Sequence, residues 1–241
     1  MEPLIEKSEG TSPATEIDWS SIPYPPAWLL QTQRLIIRPY HINDVTRLAH
    51  IANHPEVAEH MTDRFPHPYT VQSAQSFINH ISPKPNDKRN MTAPPIQHFS
   101  ICLRELDDGT NVENEGGLPI GGIGVDAQSD IYRRGAEMGY WMGRDYWGKG
   151  YMSEAVHEFA EWLFELEDGL TGVEGEQLLR IAAMVNGGNP KSTKVLERVG
   201  FKVEGRLSDA IWKAGEVSDL VVLGLTRRQW NTKAAVRTVQ G

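Results

Sequence analysis

The chain has 241 residues, enough for one well-buried domain and too few for two large ones, so it reads as a single domain with extensions. A formal charge of -8, with 39% apolar and 23% charged residues, excludes a wholly disordered chain and a protein that binds nucleic acid through its overall field; a basic or amine-bearing partner suits it better. The lone cysteine, Cys102, rules out an intrachain disulfide and fits a reducing, cytoplasmic setting, while no apolar run nears the ~20 residues of a membrane span and no secretory signal is visible.

Residues 1–28 mix charges, Ser, Thr and the prolines Pro23, Pro25 and Pro26, which predicts a flexible, extended arm ahead of a domain over 29–232 and a tail over 233–241. Thr32 to Pro39 brings Leu35, Ile36 and Ile37 together and reads as a strand stopped by Pro39. Asn43 or Asp44 then caps a helix through Val45, Leu48, Ala49 and Ile51. A second helix is expected over Val71 to Ile81, followed by a proline-rich loop from 82 to 97. Phe99 to Leu106 and Pro119 to Ala127 read as a strand pair joined by the polar stretch 107–117, and Ala136 to Met142 as a third strand. Tyr151 to about Leu166 is helical, with Met152, Ala155, Val156, Phe159, Leu163 and Leu166 on one stripe. Leu179 to Val185 (strand), Pro190 to Val199 (helix), Phe201 to Glu204 and Val217 to Thr226 (strands) complete the series, with 205–216 read as loop. This order predicts an α/β domain, of the α+β kind, on a mixed sheet.

The turn Trp147-Gly148-Lys149-Gly150 lies between a strand and a helix. That arrangement offers a phosphate the unpartnered first amides of the helix, with Lys149 as an added charge. Glycines of a plain tight turn would look the same. Gly143 to Lys149 also satisfies the first seven positions of a nucleotide-binding P-loop, but the eighth is Gly150 where magnesium would need Ser or Thr, so this stays as an alternative. Further on, Asn189 and Pro190 open a helix as N-cap and first residue, and Gly200 ends it. Capping does not require Ser192, which shares a helical face with Asn189.

Five segments taken in order resemble the GNAT superfamily, in the branch that includes ribosomal-protein N-terminal acetyltransferases. They are Thr32 to Pro39 with Asp44, Glu137 to Met142, Tyr146 to Ala155, Asn189 to Ser192, and Leu196 to Phe201 followed by Gly205 and Asp219. The resemblance implies a GNAT fold: a mixed, mostly antiparallel central sheet whose splayed strand pair holds acetyl-CoA, flanked by helices. It further implies that Trp141, Met142 and Gly143 flank the acetyl and pantetheine. Trp147, Gly148, Lys149, Gly150, Tyr151, Met152 and Ser153 would line the phosphates, and Asn189 would touch the pantetheine arm. The family often has Arg or Gln where this chain has Asp145, so no phosphate contact is carried over to it.

The implied reaction moves acetyl directly to a primary amine, on a protein N-terminus or a small molecule, without a covalent enzyme intermediate. It needs a neutral amine, an oxyanion donor and a proton for the thiolate. A backbone N–H near Met142 is the expected oxyanion donor. Glu137 is the candidate base, acting through water. Ser192 matches the position that protonates the thiolate, with Tyr140, Tyr146 and Tyr151 as other donors. An acyl-CoA-binding module without efficient transfer is the alternative. His50 and His54, four apart in one expected helix, find no further ligands, so no metal is expected.

Overall fold

The computed structural model describes residues 17–82 and 97–232. Its strands are β1 (Leu30–Gln31), β2 (Leu35–Pro39), β3 (His98–Leu103), β4 (Leu118–Ala127), β5 (Gly135–Met142), β6 (Arg180–Asn186), β7 (Lys202–Lys213) and β8 (Glu216–Thr226). The helices are α1 (Val45–Ala52), α2 (Pro55–Glu59), α3 (Val71–Ile81), α4 (Tyr151–Glu165) and α5 (Pro190–Val199). All eight strands form one sheet in the order β1-β2-β3-β4-β5-β6-β8-β7. Every neighbouring pair is antiparallel except β5 and β6, which are parallel.

The sheet is covered differently on its two faces. Met138 and Met142 of β5 and Ile181, Ala183 and Val185 of β6 share a buried cluster with Val156, Phe159 and Leu163 of α4 and Leu196 and Val199 of α5. Each fully buried Leu or Phe there contributes ~1.5–3 kcal/mol. Trp141, which alternation sends to the opposite face, joins a second cluster with Leu48 and Ile51 of α1 and Ala74 and Ile78 of α3. The expected stripe of α4 is buried as read, except that Leu166 is its C-cap and only partly buried, while Ala160 and Phe164 join the buried side.

Arg38 and Asp44 depart from the sequence reading. Asp44 makes no side-chain cap to α1. Its carboxylate takes Arg38 Nη1 and Nη2 at 2.8 Å each, with the ion pair only 0% and 1% exposed. Arg38 Nε also donates to Gly116 O at 2.8 Å, and His41 N donates to Asp44 Oδ2 at 3.0 Å. A buried guanidinium needs that many acceptors, and this requirement outweighs capping.

The arm expected over 1–28 is docked where it is described. Trp19 donates to Asn79 Oδ1 at 3.2 Å and meets His41 edge-on, and the Tyr24 ring faces the Arg38 guanidinium. Residues 1–16, 83–96 and 233–241 lie outside the described residues, so the rest of the arm, most of the proline-rich loop and the tail are not placed. The region 205–216 is not a loop: β7 runs to Lys213 and turns at Ala214 and Gly215, both at positive φ. β7 is a sheet edge exposed along most of its length, so it carries no apolar alternation to announce it.

Candidate active site

β5 and β6 pair only at Gly135↔Arg180, Ala136↔Ile181 and Glu137↔Ala182. Beyond Glu137 they part, β5 continuing to Met142 and β6 to Asn186. Gly143 N donates to Ile120 O, so by alternation the amides of residues 141 and 139 face β4 and those of Tyr140 and Met142 face the split. These two amides are the donors available to an oxyanion there. They extend the expectation near Met142 to Tyr140.

Side chains from three elements meet at this split. The Tyr140 hydroxyl lies 2.8 Å from Ser192 Oγ and donates to Ser192 O at 3.2 Å, joining β5 to the start of α5. Burial pushes the phenol up to about 12, so it stays protonated at neutral pH. Asn189 caps α5, its Oδ1 accepting from Ser192 N at 3.1 Å, which leaves its amide group to donate. Trp147 donates from Nε1 to Met142 O at 2.7 Å, and its ring lies between Arg144 and Lys191 at 5.0 and 5.2 Å.

At the end of the split the chain makes a short 3-10 turn, Arg144–Tyr146, then passes through Gly148 and Gly150 at φ 76° and 82° into α4. Those angles favour glycine. Gly150 is the N-cap and has no side chain to cap with, and the first helical bond is Glu154 N to Gly150 O at 3.2 Å. The amides of Tyr151, Met152 and Ser153 therefore start α4 without a side-chain cap, and Ser153 Oγ is buried with no hydrogen-bond partner. Orphaned donors at a helix start fit a pyrophosphate. Arg34 braces this turn, donating to Lys149 O at 3.0 Å, pairing with Glu154 at 2.6 Å and stacking over Tyr151.

The expected site residues differ in which of their atoms are open. The Met142 and Met152 side chains are core, so only their backbones face a ligand. Gly143 uses its amide on Ile120 O, and a Cβ there would sit 3.0 Å from Ile51, so its small size serves packing against α1. Trp141 points away from the α4 and α5 side, into the aromatic group of Phe65 and Tyr40. Asp145 lines a cavity of about 260 Å³ with Gly143, Tyr146, His50, Asn53 and His54. His50 lies in the last turn of α1 whereas His54 is the N-cap of α2, so the two do not share a helix.

On the face carrying Trp141, β5 also presents Gly139 and Glu137, with Gly122, Gly124 and Asp126 opposite them on β4. A Cβ on Gly139 would meet nothing within 4 Å, which makes it the floor of an open groove. Phe65 stacks edge-on to Trp141 at 5.4 Å and forms a wall. The Glu137 carboxyl is raised, first by burial and then by Asp126. Asp126 is lowered by His98, whose Nε2 lies 3.4 Å from Asp126 Oδ1. No local pattern links His98 and Asp126 to Glu137, because the three lie on different strands; the register sets Asp126 opposite Glu137, and His98 reaches Asp126.

A sheet split between two parallel strands, with amides facing the split and an uncapped helix at its end, offers backbone donors to a carbonyl oxygen and to a phosphate. The chain belongs to the GNAT acetyltransferase family: the family model described as "Acetyltransferase (GNAT) domain" matches residues 34–202. The uncharacterized N-acetyltransferase p20 of Bacillus licheniformis is 30% identical over 202 residues, 83% of this chain and 97% of p20. YdaF of Bacillus subtilis, whose name assigns it provisionally to ribosomal N-acetylation, is 35% identical over 101 residues, 42% of this chain and 50% of its own. RimL, a ribosomal L7/L12 α-N-protein acetyltransferase solved with coenzyme A, shares the fold with a TM-score of 0.61 at 16% identity, covering 83% of this chain and 98% of RimL.

Proposed function

We propose that the chain transfers acetyl from acetyl-CoA directly to a primary amine, the α-amine of a protein N-terminus or an amine of a small molecule. The observation that carries this reading is the split between β5 and β6, which opens onto the uncapped start of α4. The amides of Gly148 to Ser153, the orphaned Ser153 hydroxyl and Lys149 hold the pyrophosphate, and the Asn189 amide meets the pantetheine arm. Bound acetyl-CoA supplies the activated acyl group. The Tyr140 and Met142 amides stabilise the oxyanion, and the hydrogen-bonded Tyr140 and Ser192 hydroxyls provide the proton for the departing thiolate. Glu137, on the opposite face, takes a proton from the amine through water; a carboxyl raised by burial is a better base than an ordinary one. The reducing, cytoplasmic setting suggested by one buried cysteine belongs to the same proposal.

Purified protein mixed with acetyl-CoA and a panel of peptides and polyamines, with free thiol as the readout, tests this. Amine-dependent thiol release is expected. Acetyl-CoA binding without release on any amine would replace the reading with a binding module.

A further inference from the structure

Acetylating an ammonium group frees two protons. One must leave before the nitrogen lone pair can attack; the second leaves as the C–N bond forms and the C–S bond breaks. One ends on the sulfur and the other in solvent. Tyr140 and Ser192 serve the sulfur and Glu137 takes the proton lost as the C–N bond forms, so the first ammonium proton still needs a route to solvent.

His98 stands where that route is needed. It starts β3, its register partner is Gly124 of β4, and Gly124 pairs with Gly139 of β5, so the three lie in a row on one face. A Cβ on Gly124 would overlap His98 Nδ1 and lie 3.0 Å from its Cγ. The imidazole therefore lies over Gly124 of β4, the strand next to the open floor at Gly139. Asp126 approaches Nε2 at 3.4 Å and pairs across the strands with Glu137. The pair also reaches water, with side chains 35% and 71% exposed for His98 and Asp126.

We propose that His98, oriented by Asp126, is a second base of this active site: it removes the ammonium proton of the acceptor and releases it to solvent, while Glu137 takes the proton lost as the C–N bond forms. This rests on the acetyltransferase reading. With Asp126 approaching Nε2, Nδ1 is the ring nitrogen left over Gly124. The charged groups that act on this pair and its neighbour are Arg64, from the segment between α2 and α3, which acts on Asp126, and Glu137 of β5, whose carboxyl Asp126 raises. Gly124 is part of the device, because any side chain there would push the ring off the strand.

The test compares wild type, His98→Gln and Asp126→Asn, each as the full chain. It follows kcat/KM for the best amine of the panel from pH 6 to pH 10 by thiol release, with acetyl-CoA affinity and thermal melting as controls on folding. His98→Gln is expected to lose about 10²-fold at pH 7, and the gap to wild type closes as the pH nears the amine's own pKa, where neutral amine is abundant. Asp126→Asn, at an exposed carboxylate, is expected to show the same shape with a smaller gap. A deficit uniform across pH, or none, in both variants overturns the proposal while leaving the transferase reading intact. Wild type that binds acetyl-CoA and releases no thiol on any amine removes that reading, and this inference with it.

Discussion

Gly139→Ala separates the floor of the groove from the fold around it. The residue sits inside β5, its backbone is not in the left-handed region, and a Cβ there touches nothing within 4 Å. On the folding side, Ala in place of a strand Gly is worth roughly 0.5–1 kcal/mol in favour of the variant. On the catalytic side, the new methyl occupies the space over which the amine must reach the split, and a displacement of about 1 Å costs about 10²-fold in rate. That loss corresponds to about 2.7 kcal/mol of barrier. Urea titration, acetyl-CoA affinity and acceptor kcat/KM would be measured together. Stability equal to or above wild type, unchanged acetyl-CoA affinity and a collapse in kcat/KM are expected. Unchanged kcat/KM would refute the reasoning, because the acceptor would then not approach over Gly139. Gly122→Ala, one step along the same face, supplies the contrast. Its Cβ would overlap the Tyr40 hydroxyl and lie 2.8 Å from Trp141 Nε1. Overpacking there costs about 1–3 kcal/mol, so this variant should lose stability, as Gly139→Ala should not.

Three further outcomes are expected. Asp44→Ala strands the Arg38 guanidinium in the core and should cost about 3–5 kcal/mol in urea unfolding, with Arg38→Met added to it recovering much of the loss; a cost below about 1 kcal/mol would contradict the buried pair. Glu137→Gln should stabilise the ligand-free fold at pH 7.5 and leave it unchanged below about pH 4. The sign follows from the raised carboxyl: the folded state holds its proton more tightly than the unfolded chain, so stability is full at low pH and falls as the pH rises through the folded-state pKa. Thermal melts at both pH values read this, and equal shifts at both would disprove it. Tyr140→Phe and Ser192→Ala should each lower kcat about tenfold or more, and the double variant little further, since the hydroxyls act as one pair. Fully multiplicative losses would show that they act separately.

What the sequence made legible follows from how local each cause is. α3 and α5 were read with their observed ends because periodicity and caps lie within a dozen residues: Thr70 and Ser73 form a capping box, and Asn189, Pro190 and Gly200 bound α5. β7 escaped because an exposed edge has no buried face to pattern, and its register is set by β8 across the turn at Ala214 and Gly215. Asp44 was misread for a related reason, since its partner is fixed by the closing of β2 on the helix after it. The active site shows the same division. The turn at Gly148 and Gly150 carries its signs of an anion site locally, though a plain tight turn shares them, whereas which atoms of Met142 and Gly143 are open beside the split depends on neighbouring elements. The split itself is the least local feature of all. No periodicity marks the point after Glu137 where β5 leaves β6; only the resemblance to a family raised the expectation. In the fold, Trp147 on the Met142 carbonyl stands where a ladder bond to β6 would otherwise form, and Ser192 on the Tyr140 hydroxyl ties β5 to α5 beside it. The groups that brace the split open are thus the groups beside which the thioester would lie, so substitutions at Trp147 or Ser192 act on the shape of the site as well as on its chemistry.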